Sequence, residues 1–195
     1  WWNKNERSPQ GAPKPPALLK SGAEPKFSGK PADYPYYFIP FESQSLGAGQ
    51  YAHLPWLQAT PDPITTVTWL SWVELHPETA KRLGVLQEDI IAVESPTGKR
   101  IEVPVYISPA AAPDVVSVPF GQGHTQFTTY AAKRGANPIQ ILDTIQDEKT
   151  GALAWSATRV RLVKTARRQK LPKFEGVVPA YQAPDDKIIQ VIRPK

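Results

Sequence analysis

The chain has 195 residues, which is enough to bury one sizeable hydrophobic core. It contains no cysteine, so this chain alone cannot build a disulfide framework, a cysteine-ligated iron–sulfur cluster, a zinc ribbon or a cysteine nucleophile. Its formal charge of +5 comes from 23 basic and 18 acidic residues. The basic residues are scattered or gathered near the C-terminus, a pattern that argues against a nucleic-acid-binding face.

Residues 1–33 are rich in proline, lysine, glycine and serine. Such a composition buries too little apolar surface to fold alone, so we expect an extended arm or linker. The chain begins Trp1-Trp2 and has no methionine, which favours a fragment, a processed chain or part of a longer subunit. No apolar run is long enough to span a bilayer, and the N-terminus lacks a signal-peptide pattern. Any membrane association is therefore expected to come through partners or through sequence not shown.

The next predicted element is a short helix from about Pro77 to Leu83. Proline is tolerated at a first helical position, acidic Glu78 suits the first turn, and Gly84 is suited to a left-handed C-terminal residue. His76 immediately precedes the proline, where a capping or core role is favoured over catalysis. His53 lies in an apolar segment and is expected to pack rather than react.

A β-hairpin is predicted after this helix. Residues 90–94 are apolar and β-branched, residues 96–99 have turn chemistry, and residues 101–107 alternate apolar with other side chains. Pro104 cannot donate to a sheet ladder, so its strand is predicted to lie at an edge or to carry a bulge. Residues 115–118 form another short predicted strand, which leads directly into Pro119 and Phe120.

The segment that follows is the strongest candidate for ligand contact. Gly121 and Gly123 allow positive φ and close backbone approach on both sides of Gln122. Backbone N–H groups, the Gln122 amide and the His124 ring are thereby able to converge on an anionic or heteroaromatic ligand. The alternative is a tight connection in which His124 satisfies only local backbone groups. The residues alone leave both interpretations open.

The order of these pieces resembles a known family. The runs HPETAKRLGV, DIIAVESPTG, VPFGQGHT, RGANP and ATRVRLV together resemble the C-terminal dinucleotide-binding domain of the molybdopterin oxidoreductases, the dimethyl sulfoxide reductase superfamily. The runs FESQSLGAGQYAHLPWLQATPDPIT and GQGHTQFTTYAAKRGANP are most similar to large subunits of quinone-linked complexes. These are polysulfide-reductase-like enzymes, menaquinone reductases and the iron–sulfur subunit of alternative complex III.

The resemblance implies a mainly β fold: a six-stranded double-psi β-barrel with short helices over residues 34–164, flanked by extended Pro-rich arms. It also implies that the barrel closes over one end of a bis-molybdopterin guanine dinucleotide. The residues that match family contact positions are Gly121, Gln122, Gly123, His124, Thr125 and Asn137. Arg134 is a further candidate because a guanidinium matches two phosphate oxygens. Its alternative is a solvated surface arginine, and Asn137 before Pro138 has an alternative as a helix cap.

Residues 165–195 are basic and Pro-rich and are predicted to form a connecting strap, which in such complexes leads toward a ferredoxin-like subunit or domain. The resemblance implies a non-catalytic domain of a membrane-associated, quinone-linked oxidoreductase complex, with iron–sulfur and membrane quinone-binding subunits as partners. Its expected place is the extracytoplasmic face of the cytoplasmic membrane. The alternative is a cofactor-free scaffold domain of the alternative complex III type, in which Phe120 and Phe127 fill the site.

Overall fold

The computed structural model describes residues 26–148 and 150–174 of the chain. Among these residues are six β-strands, three α-helices and one 3₁₀ helix. The strands are β1 (Tyr36–Glu42), β2 (Val73–Leu75), β3 (Asp89–Glu94), β4 (Arg100–Ile107), β5 (Val115–Phe120) and β6 (Arg159–Arg168). The helices are α1 (Pro55–Ala59), α2 (Pro77–Leu83), α3 (Thr128–Ala131) and the 3₁₀ helix Pro138–Ile141.

The six strands close into a barrel in the order β1-β5-β2-β4-β3-β6. Strand β1 runs parallel to β5, and β2 runs parallel to β4, while the other neighbours are antiparallel. Strand β6 closes the barrel by pairing with β1 through Arg159 and Val160 and with β3 from Arg161 onward. The expected mainly β, six-stranded barrel with short helices is confirmed, and its double-psi connection pattern stays a prediction.

The core lies inside the barrel and is built from one face of each strand. Alternate residues of β1 are buried, as expected for a strand with one face toward the core. The buried core positions on the strands include Phe38, Val73, Leu75, Ile91, Val93, Ile101, Val103, Val105, Val116, Val118 and Val160. The 3₁₀ helix contributes Ile141, and α2 contributes Ala80. The apolar alternation of the sequence therefore becomes a continuous barrel interior.

Helix α2 has the predicted bounds, and its ends explain them. The Nδ1 atom of His76 accepts a hydrogen bond from the Glu78 backbone N–H at 3.2 Å, so this histidine caps the helix. Gly84 ends the helix in the left-handed conformation with a φ of +64°. The predictions for His76 and Gly84 are confirmed.

Pro104 has a different setting from the one predicted. Strand β4 lies between β2 and β3, so it is not an edge strand of the barrel. Strand β2 pairs with β4 only from Val105 to Ile107, and the pairing partner of Pro104 is Ile90 of β3. The proline is tolerated because no β2 residue opposes it, whereas the pairing irregularity lies between Asp89 and Ile91, on β3.

The segment after β6 packs back on the barrel. Leu171 is buried with Val67 and Trp72, and residues 172–174 hydrogen-bond to Thr66 and Thr68. The predicted boundary at residue 164 falls inside β6, and the division into arm, barrel and strap stays a prediction. The parts of that prediction covering residues 1–25 and 175–195 lie outside the described residues. No helix in the described ranges has the length and apolarity needed to cross a membrane.

Candidate functional site

The glycine loop, residues 121–125, leaves the end of β5 and packs against a second segment of the chain. Gly121 has a φ of +121° and Gly123 a φ of +90°, a region that side-chain-bearing residues rarely adopt. The Gly123 N–H donates to the Arg134 carbonyl at 2.8 Å, and the Lys133 N–H donates to the His124 carbonyl at 2.8 Å. The glycine loop is therefore held by backbone hydrogen bonds to the return segment, which we define as residues 132–137.

The two segments approach so closely that Gly123 has no room for a side chain. A Cβ atom built on Gly123 would lie 2.5 Å from the carbonyl carbon of Ala136 and 2.8 Å from the Cβ of Asn137. A Cβ atom on Gly121 would lie 2.9 Å from the carbonyl oxygen of Gly47. Glycine at these two positions thus allows the backbones of three loops to meet.

A pocket of about 260 Å³, the site pocket, lies at this junction. It is lined by Ala48, Phe120, Gly121, Gln122, Gly123, His124, Asn137 and Ile139. The structure therefore brings together five of the seven predicted contact residues. Thr125 is exposed at the far end of the glycine loop and does not line the pocket. None of the lining residues is an aspartate, glutamate, lysine or arginine.

The Gln122 side chain forms its hydrogen bonds inside the protein, with the side chain of Gln58. Its Nε2 donates to the Gln58 Oε1 at 2.6 Å, and the Gln58 Nε2 donates to the Gln122 Oε1 at 3.3 Å. The Gln58 Nε2 also donates to the Ala52 carbonyl at 2.8 Å, and Gln58 is only 1% exposed. Buried amides need such partners. Gln122 therefore fixes the glycine loop to α1 and offers the pocket mainly its backbone.

Asn137 has the helix-capping role that was one of its two interpretations, and it also lines the site pocket. Its Oδ1 accepts a hydrogen bond from the Ile139 N–H at 3.0 Å, so it caps the 3₁₀ helix. The residue is exposed and lines the site pocket at the same time. A cap of this kind fixes the direction of the side chain at the pocket wall.

Two polar atoms near the glycine loop are buried without a hydrogen-bond partner in the described structure, the His124 Nε2 and the Arg134 Nε. The His124 ring packs against Phe127 at 5.2 Å between ring centroids. The Arg134 guanidinium lies 4.8 Å from the centre of the Trp69 ring, and Arg134 is not among the pocket-lining residues. A buried polar atom without a partner is costly, so His124 marks a position where a bound polar group would be stabilised.

Ser71 anchors the return segment, a role that the sequence did not predict. Its Oγ accepts from the Ala136 N–H at 3.0 Å and donates to the Ala136 carbonyl at 3.2 Å. Gly135 packs directly on the Ser71 Oγ, and a Cβ atom there would also lie 2.7 Å from the Gln122 Cβ. Ser71 and Gln58 together join the return segment and the glycine loop to residues 58–71. The available sequence signal was a serine and a glutamine inside otherwise apolar stretches.

The aromatic residues expected to fill a cofactor-free site have other partners. Phe120 is half-buried, lines the pocket and stacks on Trp155 at 5.5 Å with an interplanar angle of 27°. Phe127 is 44% exposed and packs against the rings of His53 and His124. Neither ring closes the pocket. Among the described residues, no group of three or more His, Cys, Asp or Glu side chains is placed to hold a metal ion.

Comparison with known proteins gives the family context. Residues 60–152 match the family described as "Molydopterin dinucleotide binding domain". The chain is 33% identical over 93 residues to the menaquinone reductase molybdopterin-binding-like subunit of Nitratidesulfovibrio vulgaris, an alignment covering 48% of this chain and 13% of that protein. It is 29% identical over 147 residues to the molybdopterin-containing subunit of the arsenate respiratory reductase of Chrysiogenes arsenatis, covering 71% and 17%.

A third relative is a tetrathionate reductase subunit from Archaeoglobus fulgidus, 28% identical over 124 residues, covering 58% of this chain and 10% of that protein. The chain thus spans between 10% and 17% of the length of these relatives. Among solved structures, acetylene hydratase from Pelobacter acetylenicus shares the fold with a TM-score of 0.57 and 17% identity, over 74% of this chain and 21% of that one. The chain therefore carries, over residues 60–152, a domain of the molybdopterin oxidoreductase superfamily.

Proposed function

We propose that this barrel contacts a bis-molybdopterin guanine dinucleotide as part of the large subunit of a membrane-associated, quinone-linked electron-transfer complex. The observation that carries the proposal is the site pocket, where the glycine loop, Asn137 and the unpartnered His124 Nε2 meet. A narrow, glycine-lined pocket admits a flat heteroaromatic group close to the backbone. The described residues fit this cofactor, because a polar atom at the edge of the pterin or guanine ring would satisfy the buried His124 nitrogen.

The role of each residue follows from its contacts. Gly121 and Gly123 give backbone access, Asn137 lies at the pocket wall, and His124 supplies a buried ring nitrogen. Gln122 acts by holding the glycine loop through Gln58. When bound, the cofactor supplies redox chemistry at its metal. The barrel performs no catalytic step and contributes orientation and exclusion of water.

The wider setting of the proposal rests on similarity. A menaquinone reductase subunit is among the relatives, and quinone-linked complexes carry iron–sulfur and membrane quinone-binding subunits, which we propose as partners. We place the complex at the extracytoplasmic face of the membrane because the family resemblance favours that location. Thr125 and Arg134 stay proposed contacts, although Thr125 is exposed and Arg134 stacks on Trp69.

A second candidate function is a cofactor-free scaffold domain. It is favoured by the internal use of the two amide side chains among the predicted contacts: the Gln122 amide pairs with Gln58, and the Asn137 Oδ1 caps the 3₁₀ helix. A scaffold needs the same hydrogen bonds for folding alone. The two candidates differ in whether any group occupies the site pocket in the intact complex.

The test is metal and pterin analysis of the intact complex, by elemental mass spectrometry and by fluorescence of the oxidised pterin. We expect stoichiometric molybdenum or tungsten with pterin. Two variants locate the contact: His124→Ala is expected to lower pterin retention without changing far-ultraviolet circular dichroism. His53→Ala, which removes another ring that packs against Phe127, is expected to leave pterin retention unchanged. Iron without molybdenum, tungsten or pterin would instead establish the scaffold function.

A further inference from the structure

The outer surface of the barrel carries another concave region, which shares no lining residue with the site pocket. A groove of about 320 Å³, the outer groove, lies across the outward faces of β1, β5 and β2 and the loop that precedes β2. Its floor and rim are partly apolar, since Ile39 is 39% exposed, Ile64 is 78% exposed, and Phe41 is half-buried. An isoleucine exposed to this degree beside other apolar side chains marks a surface suited to contact.

The charges of the outer groove have one sign. Three carboxylates line it, those of Glu42, Asp62 and Glu74, and no basic residue is among its lining residues. The Asp62 Oδ1 accepts from the Ile64 and Thr65 backbone N–H groups at 3.1 and 2.8 Å, which fixes the position of this loop. Burial, with a contribution from the nearby Asp62, raises the pKa of Glu74. A cationic occupant would relieve this unfavourable burial of negative charge.

The described part of the chain ends beside this groove. The Thr68 N–H donates to the Pro172 carbonyl at 2.9 Å, and the Phe174 N–H donates to the Thr66 carbonyl at 2.9 Å. Thr66 is two residues from Ile64, at the rim of the outer groove. Phe174 is itself 78% exposed. The chain therefore continues toward residues 175–195 from a point next to an apolar groove lined by carboxylates.

The last nine residues of the sequence, KIIQVIRPK, match the groove in chemistry. They contain three cationic and four aliphatic side chains and no acidic one. In an extended segment, alternate residues share a face. One face would then present Ile189 and Val191 at its centre with Lys187, Arg193 and Lys195 around them, matching aliphatic Ile39 and Ile64 among the carboxylates.

We propose that residues 187–195 of the chain dock in the outer groove, with Ile189 and Val191 against its isoleucines and the cationic side chains facing Glu42, Asp62 and Glu74. About 12 residues separate Phe174 from this segment, and a chain of that length spans at most about 40 Å even when fully extended. The effective concentration is then on the order of millimolar, so weak contacts suffice for docking. Docking would set the direction in which the chain leaves the barrel.

The absence of cysteine from the whole sequence makes a direct test possible. In the full 195-residue chain, the pair Ile64→Cys with Ile189→Cys is oxidised, and intramolecular disulfide formation is followed by mass spectrometry. The control pair is Lys99→Cys with Ile189→Cys. Lys99 lies in the exposed turn between β3 and β4. We expect the groove pair to form its disulfide at least about tenfold faster. The triple substitution Lys187→Gln, Arg193→Gln and Lys195→Gln is expected to remove the difference.

Three results would overturn the proposal. The first is an equal rate of disulfide formation in the groove pair and the control pair, and the second is a groove-pair rate that the triple substitution leaves unchanged. The third is a disulfide between Ile64→Cys and Leu18→Cys that forms faster than the one between Ile64→Cys and Ile189→Cys, which would assign the groove to the N-terminal arm. A second measurement leaves the groove unmodified. The Trp72 indole N–H donates to Glu74 at 3.0 Å, so its NMR signal reports on the groove. We expect that signal to shift in the triple variant, and an unchanged signal would also contradict docking.

Discussion

The contact between the glycine loop and the return segment predicts a large difference between two glycine substitutions. Gly123 and Gly98 both have positive φ, +90° and +79°, so alanine at either position carries a conformational cost of about 1 kcal/mol. They differ in their surroundings. A Cβ atom on Gly98 meets nothing within 4 Å, whereas one on Gly123 meets the backbone of residues 136 and 137. Gly98→Ala is therefore a matched control for Gly123→Ala.

The extra cost at Gly123 follows from what must move. Backbone cannot yield as a flexible side chain can, so the two segments separate and lose the hydrogen bonds from Gly123 to Arg134 and from Lys133 to His124. At about 1 kcal/mol per bond, Gly123→Ala should lose about 3 kcal/mol of unfolding free energy in total. Gly98→Ala should lose about 1 kcal/mol.

Urea unfolding of the two variants, followed by circular dichroism and tryptophan fluorescence, measures this difference. In a separate thermal unfolding experiment, Gly98→Ala is expected to lower the melting temperature by about 2–4 °C, as a loss of about 1 kcal/mol does in a chain of this size. Equal losses in the two variants would show that the glycine loop and the return segment do not meet as described. Such a result would also contradict the geometry of the site pocket.

Three further changes test other contacts. Gln58→Leu should lower the free energy of unfolding in urea by about 2 kcal/mol, because it leaves the Gln122 amide buried without its partner. In that variant, the further change Gln122→Leu should lower the free energy of unfolding much less than it does in the original chain, and additive losses would contradict the pairing. In a chain that also carries Lys187→Gln, Arg193→Gln and Lys195→Gln, so that no cation docks beside Glu74, the change Glu74→Gln should raise the melting temperature near neutral pH, because burial raises the Glu74 pKa. A protonated Glu74 has no such penalty, so the difference should vanish in acid, and a difference that persists there would refute this assignment. Arg159→Lys should cost about 1–2 kcal/mol, since a lysine cannot serve the carbonyls of residues 34 and 35 together, whereas the exposed Arg161→Lys should leave the melting temperature unchanged.

Local patterns in the sequence predicted the elements whose signals are local. The proline, acidic residue and glycine around α2 specify both of its ends, and the alternation through residues 101–107 specifies a strand with one buried face. Helix α1 gave no comparable signal, because it has five residues and its preceding residue, Leu54, makes no side-chain cap. The parallel pairing of β1 with β5 joins residues nearly 80 positions apart. No local pattern specifies that contact, and only the family resemblance implied a barrel.

The candidate site was predictable in its backbone and less so in its side chains. Two glycines in five residues indicated close approach, and the structure places Asn137 at the point of contact. The sequence also favoured the Gln122 amide as a ligand contact, but the pairing with Gln58 uses that amide internally. The partner of a buried side chain depends on the tertiary fold, which the local sequence does not specify. Gln58 and Ser71 were missed for the same reason.

The way in which β6 closes the barrel has a consequence for how the chain folds. Tyr36 and Tyr37 in β1 pair with Val160 and Arg159, so the first strand meets its second neighbour only after more than 120 intervening residues have been made. Contacts of such sequence separation are slow to form because a long loop must close before they contribute. During synthesis, β1 would have an unpaired edge until residue 160 leaves the ribosome, and an unpaired edge invites aggregation. Premature termination before β6 should therefore yield insoluble chains rather than a smaller folded domain.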